Sequence, residues 1–328
     1  MTTRRALLTL LGGAAAAWPV GVRAQPRLRR IGVLTGYAED NAEGQRYVVA
    51  FRDELQKLGW VEGRNVHIEL RWAVPDRATF RRLAIELVTL QPDAILAANT
   101  LAATVLQQQT TTIPIVFAAV SDPIGSGFVA SYARPGGNIT GFTVLEGSLG
   151  GKWLELLKEV APRIEHAAFL FDPSSAPFQY FLGPLKKAAA AFAVEPIEAS
   201  VQNGSELETV ISGVASKSNS SLIVQPGPFS STYRAEIISL AARRRLPAIY
   251  PYRYLSKAGG LLSYGNDVSE NFRHAASYID RILKGEKPGD LPVQAPAKYE
   301  LVINLRTAKA LGLDVPLLMQ QRAEEVIE

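Results

Sequence analysis

The sequence predicts an α/β protein built as two successive doubly wound parallel-sheet units around a shared crevice. Three observations predict it. Strand and helix patterns alternate along the 328 residues, which implies parallel α/β layers. The pattern restarts near residue 166: IGVLTGY is answered by AAFLFDP and DAILAANT by SLIVQPGP, and TTTIPIVF is answered by RRRLPAIY 133 residues later. Several strands also run out into small polar clusters, and ligands bind beyond the carboxyl ends of such strands.

The elements follow in order. Residues 29–37 read as a buried strand and Asn41 to Leu58 as a helix with Tyr47, Phe51, Leu55 and Leu58 on one face, stopped by Gly59. Asn65 to Trp72 is a strand, and Asp76 caps a helix reaching Leu90. Asp93–Ala98 and Pro114–Ala118 are strands flanking a helix, and residues 134–143 hold a turn and a short strand. The second unit has helices at Gly147–Val160, Ala176–Phe192, Glu206–Ser216 and Thr232–Arg245. Its strands are at His166–Phe171, Val194–Ala199, Ser221–Gln225, Pro247–Tyr250 and Gly260–Tyr264. Val268–Leu283 is a helix. The tail holds a strand at Lys298–Ile303 and helices at Leu305–Leu311 and Pro316–Ile327.

Residues 1–24 read as a secretory signal peptide: Arg4-Arg5, an apolar run from Ala6 to Ala17, then Val22-Arg23-Ala24 before Gln25. The paired arginines give it a twin-arginine character, with the general secretory route still open. The apolar run is short for ~30 Å of hydrocarbon. Cleavage after Ala24 and a periplasmic location are the expectation. Removing three arginines lowers the net charge from +4 to +1, which is no nucleic-acid footprint. The chain has no cysteine, so disulfides, thiolate chemistry and a cysteine-linked lipid anchor are excluded.

The candidate ligand contacts sit at strand ends. Asn99 and Thr100 open a helix, where free N–H groups and the dipole suit a carboxylate, although either residue also serves as a plain N-cap. Ser121 follows the next strand, and Asp122-Pro123 starts a turn. Asp172 and Asp267 are carboxylates at strand ends, and each has a turn or capping alternative. Tyr37, Phe142, Phe178, Phe229, Tyr252 and Tyr264 form a set of aromatic strand ends suited to a flat ligand, each with core or hinge packing as its alternative. His67, His166 and His274 show no metal spacing, and no metal or cofactor is expected. GSGFVA (125–130) mimics a dinucleotide fingerprint, but it follows the fourth strand rather than the first of a unit.

The stretches 10–19, 50–73, 110–143, 152–162, 259–267, 278–294 and 298–316 together resemble the exported substrate-binding proteins of ABC transporters, in the group that includes tryptophan/tyrosine-type binding proteins. The resemblance implies a type I periplasmic-binding fold, with two lobes joined by a three-strand hinge. It assigns residues 29–140 plus 264–288 to one lobe and 143–260 plus 290–328 to the other. It implies partners in a membrane permease and ATPase but does not fix the ligand; the helix-terminus site at Asn99-Thr100 and the aromatic strand ends point to a small carboxylate-bearing ligand in the cleft, an amino acid and aromatic ones included. The protein is then a monomer and no enzyme. An exported α/β enzyme and a ligand sensor for a membrane kinase stay open beside it.

Overall fold

The computed structural model describes residues 27–74, 76–174 and 177–328, so the signal-peptide reading lies outside the described residues. The first sheet is built from β1 (Arg29–Thr35), β2 (Val66–Trp72), β3 (Ala94–Ala97), β4 (Ile115–Val120) and β5 (Ile139–Thr143). They pair in the order β2-β1-β3-β4-β5, all parallel. Helices α1 (Ala42–Lys57), α2 (Arg77–Thr89) and α3 (Thr100–Gln109) connect them. Every residue of β3 and β5 is buried, as strands covered on both faces require.

The second unit runs α4 (Leu149–Val160), β6 (His166–Phe171), α5 (Gln179–Ala191), β7 (Glu195–Ser200), α6 (Gly204–Ala215) and β8 (Ser220–Val224). It continues with α7 (Pro228–Thr232), α8 (Arg234–Arg243), β9 (Ala248–Tyr250), α9 (Arg253–Lys257) and β10 (Leu262–Gly265). Its sheet order, β7-β6-β8-β9-β10, matches the first strand for strand, and then adds β11 (Glu300–Asn304) and β12 (Glu325–Ile327). The repeat extends to single hydrogen bonds. Ile95 donates to Pro114 O at 2.8 Å and Leu222 to Pro247 O at 2.9 Å; Ala98 donates to Leu34 O and Gln225 to Leu170 O, each at 2.9 Å. The architecture is that of two parallel-sheet α/β lobes.

Sequence and structure part in three places. The helix expected over Thr232–Arg245 is two, because α7 starts at Pro228 and the chain turns at Tyr233 before α8. Residues 253–257 form the short α9, too short to show periodicity. The expected helix Pro316–Ile327 ends as α12 (Leu317–Arg322), after which β12 pairs parallel to β11. There the sheet edge supplies backbone partners, with Glu324 donating to Leu301 O, and Arg253 ties Glu325 at 2.6 Å. Tertiary pairing outweighs weak local helix preference.

Three segments pass between the lobes. The first leaves β5 for α4. The second leaves β10 for α10 (Val268–Leu283), which packs on α1, β4 and β5 of the first lobe. The third returns to β11 through a short 3-10 turn at Pro288–Asp290. The third is stitched to the first: Thr143 N donates to Gln294 O at 2.8 Å, and Gln294 N donates to Gly141 O at 3.0 Å. Gly141 has φ 146°, and a Cβ there would run into the Phe117 backbone, so only glycine fits beside β4.

Candidate functional site in the inter-lobe cleft

The carboxyl ends of both sheets meet face to face. Tyr37, Asn99, Thr100 and Ser121 from the first lobe and Pro226–Pro228 and Tyr252 from the second line one cavity of about 20 Å³, closed at the back by Val144 and Val268. A second, of about 10 Å³, is lined by Asp172, Gln225, Phe229 and Ser230, and Pro226-Gly227 form the wall the two share. Each has room for about one water-sized sphere. Tyr37, Asn99, Ser121 and Tyr252 are all buried, so the lobes are closed on one another.

The first-lobe wall is built by α3. Asn99 is extended (φ −158°) and its Oδ1 accepts from Ala102 N at 2.9 Å, the expected N-cap. That use of Oδ1 leaves Nδ2 buried and without a partner. Thr100 Oγ1 accepts the Ser121 backbone N–H at 3.0 Å. That N–H is therefore spent inside the protein, and Ser121 lines the cavity. Asp122 has φ 47° and its Oδ1 accepts from Gly125 N at 2.9 Å, so residues 125–130 form turns after β4 rather than a strand-to-helix phosphate loop.

The second-lobe wall carries a matching group. Gln225 N completes the sheet, while its side-chain Nε2 is buried without a partner. Asp172 Oδ1 is turned onto its own loop, accepting from Ser174 N at 2.8 Å and Ser174 Oγ at 2.7 Å. Phe178 stacks on Phe171 at 4.3 Å between centroids, beside that loop.

Aromatic rings fill the rest. Tyr37 meets Tyr47 edge-on at 5.8 Å, Tyr47 stacks on Phe272 at 5.2 Å, and Tyr252 stacks on Tyr254 at 5.7 Å. Ser231 of the second lobe hydrogen-bonds both Tyr37 of the first and Tyr254. Burial pushes the Tyr37 hydroxyl up to about 12, and burial likewise holds Tyr252 and Tyr254 well above the ordinary phenol range. These phenols are neutral at physiological pH and offer ring surface plus uncharged hydrogen-bonding tips.

Three predicted residues lie elsewhere, where the crossovers begin: Phe142 in β5, Tyr264 in β10 and Asp267 just before α10. Phe142 packs against Tyr278 at 4.6 Å and His274 at 5.4 Å. Tyr264 lies 5.9 Å from Tyr299, and its carbonyl accepts from Trp153 Nε1 at 2.8 Å. Asp267 caps α10, accepting from Ser269 N at 2.9 Å, and lies 3.5 Å from Arg46. Sequence reasoning missed Gln225, Ser231 and Tyr254. Gln225 was visible as the last residue of its strand; the other two sit on five-residue helices that leave no periodic signal. His67 lies between Glu62 and Glu69, and His166 beside Ser218 O and Glu195. Among the described residues no group of three or more His, Asp or Glu could hold a metal ion, and no helix is long and apolar enough to cross a membrane.

Comparison with known proteins agrees with this geometry. The model of a family described as ABC transporter substrate binding protein matches residues 26–327. The chain is 28% identical over 269 residues to a tyrosine-binding protein of Clostridioides difficile (strain R20291), covering 80% of this chain and 75% of that one. The crystal structure of a conserved domain protein from Vibrio cholerae superposes with TM-score 0.85 at 26% identity, covering 91% of this chain and 99% of that one. An ABC domain in complex with L-Trp from Streptococcus pneumonia gives TM-score 0.85 at 24% identity, with the same coverage.

Proposed function

This chain belongs to the ABC transporter substrate-binding protein family, and on that premise we propose that it captures an aromatic amino acid in the cleft between its lobes. Proteins of this family work outside the cytoplasm, bind a small molecule and serve an ABC transporter. The finer reading is a monomeric periplasmic receptor, freed of residues 1–24, that hands its ligand unchanged to a permease and its ATPase.

The observation that carries the ligand class is the pair of unpartnered buried amides, Asn99 Nδ2 on one lobe and Gln225 Nε2 on the other. A buried donor left unmade costs about 1–3 kcal/mol. A ligand with acceptor oxygens, such as a carboxylate, satisfies donors of this kind. The neutral phenols of Tyr37 and Tyr252 and the ring of Phe229 supply the apolar surface an aromatic side chain needs. The relative described as a tyrosine-binding protein and the neighbour in complex with L-Trp support the same class. The closed cavities hold far less than an amino acid, so the lobes must part for entry and settle further apart around the ligand. That closure is the state a permease reads.

Isothermal titration with L-tyrosine and L-tryptophan tests this. Binding of either, with the ligand recovered unchanged by mass spectrometry, is the expected result. Binding of a sugar and no amino acid overturns the ligand class, and turnover of the bound ligand overturns the receptor reading.

A further inference from the structure

The strand that carries Ser121 is irregular just before it. The register of β4 with β3 ends at Phe117, and its register with β5 jumps from Phe117 opposite Gly141 to Val120 opposite Thr143. Three steps along β4 match two along β5, so β4 bulges by one residue at Ala118-Ala119. A bulge beside a functional site re-aims the chain that follows and leaves backbone groups outside the ladder. Ala119 and Ser121, on and just beyond this bulge, both line the cleft.

Asn271 of α10 takes up what the bulge releases. Its Nδ2 donates to Ala118 O at 2.8 Å and to Thr143 O at 2.9 Å, and its Oδ1 accepts from Asn266 Nδ2 at 3.1 Å. The side chain is buried. A carboxamide has two N–H donors, so both are spent here, and the orientation is fixed: turned over, its oxygen would face two carbonyl oxygens. One amide therefore ties together the bulge of β4, the residue from which the first crossing departs, and the second crossing at Asn266. Val144, the next residue of the first crossing, lines the cleft and donates to Val120 O at 3.0 Å.

We infer that Asn271 is a positioning residue for ligand capture. It sets where Ala119, Ser121 and Val144 stand in the cleft wall, and it pins the first-lobe ends of two of the three crossings about which the lobes turn. Asn271 itself lines neither cleft cavity, so it acts through those residues. Its effect on a ligand rests on the reading of the cleft given above, whereas its hold on the wall does not.

Asn271→Leu keeps the size of the side chain and removes all three bonds. Val66→Ala, buried at the amino end of β2 and so away from the cleft, is the control for lost stability alone. Amide hydrogen exchange by NMR compares Ser121 and Val144 with Ile95, on the central strand of the same sheet. In Asn271→Leu, Ser121 and Val144 should exchange at least about tenfold faster relative to Ile95, whereas Val66→Ala should shift all three alike. Affinity for L-tyrosine should fall about tenfold in Asn271→Leu and stay within about twofold in the control. Asn266→Ala removes only the third bond and should show the same exchange pattern at about threefold, which decides the matter if Asn271→Leu does not fold. Equal acceleration of all three amides, no acceleration at Ser121 and Val144, or unchanged affinity in a parent that binds L-tyrosine overturns the proposal. A parent that binds no L-tyrosine overturns only the reading of the cleft, and the exchange pattern still decides the hold on the wall.

Discussion

The Thr100 hydroxyl accepts the backbone N–H of Ser121 at 3.0 Å, so the first turn of α3 holds the loop that follows β4. Thr100→Val keeps the shape and removes the acceptor, leaving a buried N–H unmade. The expected cost is about 1–3 kcal/mol in urea unfolding, whereas Thr100→Ser should stay near the parent. Equal stability of the two variants would show that the bond contributes nothing.

Asn99 performs two tasks with two different atoms. Asn99→Asp keeps an oxygen for the Ala102 N–H, so stability should hold to within about 1 kcal/mol. It replaces the free Nδ2 with a carboxylate oxygen that repels a ligand carboxylate. Affinity for L-tyrosine should fall by about tenfold or more, and undiminished binding by calorimetry moves the carboxylate away from α3.

Gly36 lies where the lobes touch. A Cβ there would overlap Asn99 Nδ2 and approach Phe80 Cζ at 3.0 Å on its own lobe and Pro228 Cγ at 2.9 Å on the other. Gly36→Ala should therefore hold the lobes apart. Small-angle scattering should give a larger radius of gyration with an unchanged circular dichroism spectrum, and an unaltered radius would count against the contact as a limit on closure.

The buried phenols set a limit at alkaline pH. Burial raises Tyr37 to about 12, against about 10 for an unfolded tyrosine. A folded pKa above the unfolded one gives stability that is whole below about pH 10 and is lost as pH rises towards 12. Urea midpoints should be flat with respect to this group from neutral pH to about 9.5 and fall beyond it, less steeply in Tyr37→Phe. A flat profile to pH 11 would contradict the burial of the ring.

Much of the fold could be read from residues. Asn41 and Asp76 precede periodic apolar stretches, and both cap the helices that follow. The duplicated strands betrayed the matching sheet orders. The short α7 and α9 were not legible because five residues show no periodicity, and the edge strand β12 was not because its pairing with β11 is not local in sequence. Of the candidate contacts, Tyr37, Asn99, Thr100, Ser121 and Tyr252 meet in one cavity because parallel strands deliver their ends to one side. Phe142, Tyr264 and Asp267 fell outside it for a geometric reason. Where β5 gives way to the first crossing, Phe142 and Thr143 both line the hinge and only the next residue, Val144, lines the cleft. Sequence shows that a segment crosses but not which residue turns which way.

The placement of α10 has a consequence for synthesis. The first sheet is complete at Thr143, but the helix that covers Tyr47 and anchors Trp60 through Asp280 (2.9 Å) begins only at Val268. A chain emerging from the ribosome therefore carries a bare apolar flank on its first half while the entire second sheet up to β10 is being made. Such delayed, long-range closure slows folding and leaves intermediates prone to aggregate. The nascent protein thus spends that interval in a form that chaperones can hold.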